Sequence, residues 1–179
     1  STKIVAYDHN CDVPSYPIDV LSDAGAYPYV EGSAFHLYGG DISAMSQVHN
    51  AFPDKSVYFT EQWTGAPGNF GNDMPEAVRK LVIGGTRNWA RNVLQWNLAA
   101  DQNNDPHTPG GCASCLPAVT VNGNTATRNP AYYAIIHASK FVRPGAVRVA
   151  TAESRTLPNV AFRRPDGPWL AVTVVDQND

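Results

Sequence analysis

Glu61 closes the run "VYFTE", in which Val57, Tyr58, Phe59 and Thr60 are the β-branched and aromatic types that suit a buried strand. The carboxylate therefore stands at the tip of such a strand, where an unpaired charge is costly. Glutamate occurs four times, at 31, 61, 76 and 153, and the other three are expected in loops or at a helix start. Two readings are open for Glu61: a carboxylate saturated by backbone N–H groups or a salt bridge, or an ionised group oriented for attack. His36 and Tyr38 close the preceding run "SAFHLY", so their donors can approach Glu61 and hold it ionised. An oriented, ionised carboxylate suits nucleophilic attack at the anomeric carbon of a sugar.

Further chemistry-bearing residues stand at the ends of other apolar runs. Asp8, His9 and Asn10 follow "KIVAY", and Trp96 and Asn97 close "NVLQW". Trp96 is either core or a platform for the apolar face of a pyranose, with Asn97 beside it to bind a hydroxyl. His107 lies in the glycine-rich loop "DPHTPGG", placed to fold over the same end of the sheet. His49 and His137 fall inside helical patterns and read as structural; Arg87 and Arg91 read as helix-face residues. Cys112 and Cys115 sit in the loop "CASC" without a second ligand pair at metal-site spacing, so a small loop disulfide and two inert thiols both remain open.

These residues need elements to position them. "KIVAY" (3–7), "SAFHLY" (33–38), "SVYFT" (56–60) and "NVLQW" (92–96) read as strands. "YPIDVLSD" (16–23), "ISAMSQVHNAF" (42–52) and "PEAVRKLVIGGTRNWARN" (75–92) between them read as helices, the last opening at Pro75. Alternating strands and helices imply a parallel α/β sheet. In such folds functional groups gather at the carboxyl ends of the strands. After residue 100 the pattern changes. "VTVNGNTAT" (119–127) carries a hairpin turn and "PAYYAIIHASKF" (130–141) a helix opening at Pro130. "AVRVAT", "NVAFRR" and "WLAVTVV" then read as antiparallel strands, with "PDG" (165–167) as a turn.

The 179 residues, 43% hydrophobic with a formal net charge of −3, describe an ordinary globular chain. Lys and Arg total 13 without a basic run, which argues against a nucleic-acid partner. No apolar stretch approaches the ~20 residues of a membrane span. No signal or transit pattern stands at "STKIVAY", which opens directly on a strand.

The motifs "YDHN", "AFHLYGG", "YFTEQWTG", "GGTRNWARNVLQWNLAAD", "PHTPGGC" and "NPAYYAIIHASKFVRPGAVRV" occur in this order along nearly the whole chain. Taken together, they resemble glycoside hydrolase family 30, which contains the glucosylceramidases and bacterial and fungal endo-β-1,6-glucanases. "FTEQ" with "NLAAD…HTPGGC" looks like its bacterial secreted members, which implies a secreted or periplasmic protein. Leu37 departs from the glucosylceramidases, whose motif carries tryptophan between the histidine and the tyrosine.

The resemblance implies a (β/α)8 barrel with an antiparallel β-sandwich beside it. It also implies a retaining mechanism that needs two glutamates and no cofactor or metal. Glu61 matches the strand-seven nucleophile, so the chain is expected to be the C-terminal half of the barrel, strands five to eight, over 1–142. The start of the sandwich is then expected over 143–179. Asp8, His36, Tyr38, Trp96 and Asn97 fall on sugar-site positions; His9 and His107 join them as substrate-binding candidates.

The acid/base glutamate of the family follows an asparagine at the end of strand four. No such motif occurs here, which assigns that group to an N-terminal half as partner. The expected substrate is a β-linked glucoside or glucan. The alternative is a non-catalytic carbohydrate-binding or structural fragment of such an enzyme.

Overall fold

A computed structural model describes residues 2–173. In chain order the elements are β1 (Ile4–Cys11), α1 (Ser15–Ser22), β2 (Val30–Gly40), α2 (Ala44–Ala51), β3 (Ser56–Glu61) and β4 (Thr64–Gly65). There follow α3 (Phe70–Ala77), a π-helical segment (Val78–Gly85), β5 (Ala90–Val93), β6 (Ala99–Ala100), β7 (Cys115–Leu116), β8 (Val119–Asn122) and β9 (Thr125–Arg128). The chain continues through α4 (Pro130–Ser139), β10 (Val147–Val149) and β11 (Asn159–Arg163) to β12 (Trp169–Thr173). Two compact units result: Ser1–Gln62 with Gly84–Leu94, and Trp63–Ile83 with Gln95–Asp179.

The first unit is built on a four-stranded sheet in the order β1-β2-β3-β5, with every pairing parallel. Parallel strands need long crossovers, and α1 and α2 provide two of them. α1 contacts β1, and α2 contacts β2 and β3. Leu21 of α1 and Met45 and Val48 of α2 are buried, as are Phe35 of β2 and Val57 and Phe59 of β3. Gly32 marks a close approach of two strands, since a Cβ there would lie 2.0 Å from the Ser56 carbonyl oxygen.

Three irregularities in this sheet bear on the site. Tyr7 pairs with Ala34 but His9 with Phe35, so Asp8 is an extra residue in β1. Tyr7 and Asp8 adopt φ of 78° and 51°, left-handed values that are unusual away from glycine. Phe35 pairs with Phe59 but His36 with Glu61, so Thr60 is an extra residue in β3. Val57 pairs with Ala90 but Phe59 with Val93, and there the Asn92 side chain accepts the Phe59 N–H at 3.1 Å.

The fourth strand differs from the expected "NVLQW". It ends at Val93, and the chain leaves the sheet after Leu94 N–H donates to the Phe59 carbonyl at 3.0 Å. Trp96 therefore lies beyond the strand, where it forms an isolated parallel bridge with Trp63. Arg91 lies on β5 rather than on a helix face.

In the second unit, α3 starts five residues before the expected Pro75. The Asn69 side chain accepts the Asn72 N–H at 3.1 Å while Asp73 accepts the Asn69 N–H at 2.6 Å, a reciprocal cap that fixes the start at Phe70. Pro75 then sits inside α3, and the helix widens to π-type turns from Val78. Val78, Val82, Ile83, Ala134, Val160, Phe162 and Val172 form one buried cluster, with Met74, Ala138 and Val142 packed against it. Full burial of each large side chain there contributes roughly 1.5–3 kcal/mol.

The hairpin β8–β9 turns through Gly123 at φ 56°, as its Asn-Gly pair predicts. Pro130 occupies the first turn of α4. β10, β11 and β12 pair antiparallel, and Gly167 at φ 102° makes the "PDG" turn between β11 and β12. Residues 174 and 175 of the expected last strand lie outside the described residues. No helix among the described residues is long and apolar enough to cross a membrane.

Candidate active site

The carboxyl ends of β1, β2 and β3 bring five polar side chains together. The Tyr38 hydroxyl donates to Glu61 Oε1 at 3.0 Å. His36 lies between two carboxylates: its Nδ1 is 4.0 Å from Glu61 Oε1, and its Nε2 is 3.1 Å from Asp8 Oδ1. Thr60 Oγ1 donates to the same Asp8 oxygen at 2.7 Å. The imidazole is largely enclosed, with 13% of its side chain exposed, whereas Glu61 keeps 32% and Asp8 66%. The ring is therefore fixed while both carboxylates stay open to a ligand.

The backbone explains this convergence. Side chains on neighbouring parallel strands fall level when the register is even. The extra residue in β3 brings Glu61 level with His36, which pairs with Asn10 on β1, while the extra residue Asp8, one step earlier in β1, reaches the imidazole with its side chain. Tyr38 is held from behind, as its N–H donates to Asn10 Oδ1 at 3.3 Å. The Tyr7 hydroxyl in turn donates to the Asn10 carbonyl at 2.5 Å.

His9, next to Asp8, is exposed and lies edge-on to the Tyr7 ring at 5.9 Å. Trp96, Asn97 and His107 belong to the second unit. Trp96 is 49% exposed and is joined to Asn97 by a cis peptide bond. Asn97 Oδ1 is buried without a hydrogen-bond partner among the described residues, while its carbonyl accepts the Ala118 N–H at 2.8 Å. His107 Nε2 lies 3.3 Å from Asp105 Oδ1. The loop that carries it is shaped by Asp101, whose carboxylate accepts the Asp105 and Asn103 N–H groups and is held below the usual range by them. Cys112 and Cys115 close that loop as a disulfide.

Two groupings escape the reading of the sequence. Glu31, expected in a loop, lies on β2 and accepts from Lys3 Nζ at 2.8 Å, Ser56 Oγ at 2.9 Å and the Tyr58 hydroxyl at 2.6 Å. Arg91 joins the knot through Ser56 Oγ at 2.6 Å. Burial opposes ionisation of Glu31, but the Lys3, Tyr58 and Ser56 donors outweigh it and hold the carboxyl at about 2. Thr60 is the other omission: its type suits a strand, and its hydroxyl gives no sign in the sequence of the carboxylate it meets.

Residues 2–142 match the glycosyl hydrolase family 30 TIM-barrel domain. An endo-1,6-β-D-glucanase of Aspergillus fumigatus is 39% identical over 96% of this chain and 36% of its own length. A putative glucosylceramidase of Caenorhabditis elegans is 31% identical over 96% of the chain and 35% of its own length. The solved structure of an endo-β1,6-glucanase superimposes with a TM-score of 0.87 at 35% identity, over 94% of this chain and 40% of that one. The chain thus spans little more than a third of the length of these relatives.

Proposed function

The chain belongs to glycosyl hydrolase family 30, and on that premise we propose that it is part of a retaining β-glycoside hydrolase with Glu61 as nucleophile. The observation that carries this reading is the placement of Glu61. Its Oε1 faces the Tyr38 hydroxyl and the His36 ring at the carboxyl end of a parallel sheet. A tyrosine donor stabilises a carboxylate before attack and can release it as negative charge moves onto the new bond. With Oε1 engaged, Oε2 is the oxygen presented to the substrate.

In the proposed reaction Glu61 Oε2 forms a bond to the anomeric carbon as the glycosidic C–O bond breaks. A second glutamate gives its proton to the departing oxygen. That group then takes a proton from water, the water oxygen bonds to the anomeric carbon, and Glu61 leaves as carboxylate. Two inversions give net retention. We assign the second glutamate to strand four of the same barrel, outside this sequence, with strands five to eight supplied by 1–142. Retention requires the two carboxyl groups about 5 Å apart.

A β-1,6-linked glucan is the proposed substrate, on the strength of the relatives that carry that activity in their names. Asp8 is proposed to bind a sugar hydroxyl through its exposed side. The exposed indole of Trp96 suits stacking on a pyranose, and Asn97, next to it in the sequence, is proposed to contact a sugar hydroxyl. The Cys112–Cys115 disulfide favours an oxidising, secreted or periplasmic setting.

Proton NMR of the complete enzyme acting on β-1,6-glucan tests the reaction. The first new reducing ends should be β-anomers, with α-anomers appearing only by later mutarotation. Initial release of α-anomers would reject the retaining assignment.

A further inference from the structure

Thr60 and Asp8 are the two residues by which β3 and β1 exceed their partner strand, and they bond to each other at 2.7 Å. The two bulges thus meet across the intervening strand on either side of the level of Phe35, one step before His36. Asp8 Oδ1 receives both the Thr60 hydroxyl and His36 Nε2. We propose that Thr60 is a positioning residue for the Glu61 reaction, acting through Asp8 on His36; this rests on Glu61 being the nucleophile.

The reasoning starts from the Asp8 carboxylate. Its side chain is 66% exposed, so without a second anchor it would turn freely toward solvent. The Thr60 hydroxyl donates to the Oδ1 that meets Nε2 and so restrains that oxygen from turning away from the ring. The carboxylate is acceptor-only, so His36 must present Nε2–H to it. That choice turns the ring's other nitrogen, Nδ1, toward Glu61 Oε1 at 4.0 Å, beyond hydrogen-bond range, so that the Tyr38 hydroxyl rather than the expected imidazole is the donor to Glu61. Thr60 therefore sets which edge of the imidazole lies toward the nucleophile without touching substrate itself. Its Oγ1 also approaches the Phe35 carbonyl at 3.4 Å, so the hydroxyl is held by the sheet on which it acts.

The left-handed backbone at Tyr7 and Asp8 is the conformational cost of this arrangement. Such strain persists where the surroundings over-determine it. The Thr60–Asp8 bond is one of the contacts that does so, and it links the strained turn of β1 to the residue directly before the nucleophile.

Thr60→Val removes the hydroxyl and keeps the side-chain shape. In the complete enzyme acting on β-1,6-glucan, kcat should fall about tenfold with KM changed less than about twofold, and Thr60→Ser should restore kcat. Nitrogen-15 NMR of the His36 ring supplies a readout independent of turnover. The Nε2-protonated tautomer should dominate in wild type and Thr60→Ser, and a mixture should appear in Thr60→Val. If valine disturbs the fold, Thr60→Ala removes the same hydroxyl with less bulk and is measured instead. Unchanged kcat, or an unchanged ring tautomer, overturns the proposal. Should Glu61 prove not to be the nucleophile, Glu61→Gln would retain turnover, and the ring measurement would still report on Thr60 separately.

Discussion

Tyr38 and Glu61 meet hydroxyl to carboxylate at 3.0 Å, from the ends of two adjacent parallel strands. The pair is positioned by one side chain and one irregularity of the backbone outside it. Asn10 holds the Tyr38 N–H, and the extra residue Thr60 brings Glu61 level with His36. A carboxylate fixed through one oxygen in this way presents the other in a defined direction.

Tyr38→Phe removes that donor and leaves the ring. In the complete enzyme it should lower kcat about ten- to a hundredfold, the range expected for losing one charge-assisted hydrogen bond at the proposed nucleophile. Thermal stability should change little, because Tyr38 is exposed. Steady-state kinetics with a parallel thermal melt checks this. Unchanged kcat would mean that the bond does not orient the nucleophile.

Glu31 should make stability depend on acidity. Its folded-state carboxyl is held at about 2, below the ordinary 4.5, so the ionised form is favoured in the folded protein. The associated stability is fully present above about 4.5 and is lost as pH falls toward 2. Glu31→Gln should cost about 1–3 kcal/mol near neutrality, since the Lys3, Ser56 and Tyr58 donors lose a charged acceptor. Urea unfolding of both proteins from pH 7 to pH 2 should show this difference shrinking across that interval. A difference independent of pH would contradict the assignment.

The cysteines should divide two to one. Cys112 and Cys115 are bonded, and Cys11 is a buried thiol. Burial, reinforced by Asp41 and Asp12, pushes that thiol up to about 12, far from its reactive thiolate form. Thiol titration of the denatured, unreduced protein should count one free group, and native protein should react slowly at pH 8. Three free groups would refute the pairing.

Much of the sheet is legible in the sequence because it rests on local residue types. β-branched and aromatic runs mark β1, β2 and β3, Asn-Gly marks the β8–β9 turn, and Pro130 opens α4. Glu61 with His36 and Tyr38 is legible for the same reason: each ends an apolar run. What the sequence hides depends on register. Asp8 and Thr60 count as ordinary strand residues until the pairing shows one residue too many on each side. Asn92 stands in for a backbone acceptor, which ends β5 before Trp96. Glu31 is too polar to mark a strand, and only its neighbours Lys3, Ser56 and Tyr58 show how a carboxylate is accommodated on one. The start of α3 was written in Asn69 and Asp73, but Pro75 is the stronger local signal and points to the wrong turn.

The assignment of Glu61 as nucleophile is tested most directly by trapping its covalent intermediate. A 2-deoxy-2-fluoro-β-glucoside with a good leaving group slows both steps, and release more than attack, so the sugar accumulates on the attacking residue. Peptide mapping of the complete enzyme after inactivation should place one fluoroglucosyl group on the Glu61 carboxylate, with no label in Glu61→Gln. A label on any other residue, or inactivation that persists in Glu61→Gln, would contradict the assignment.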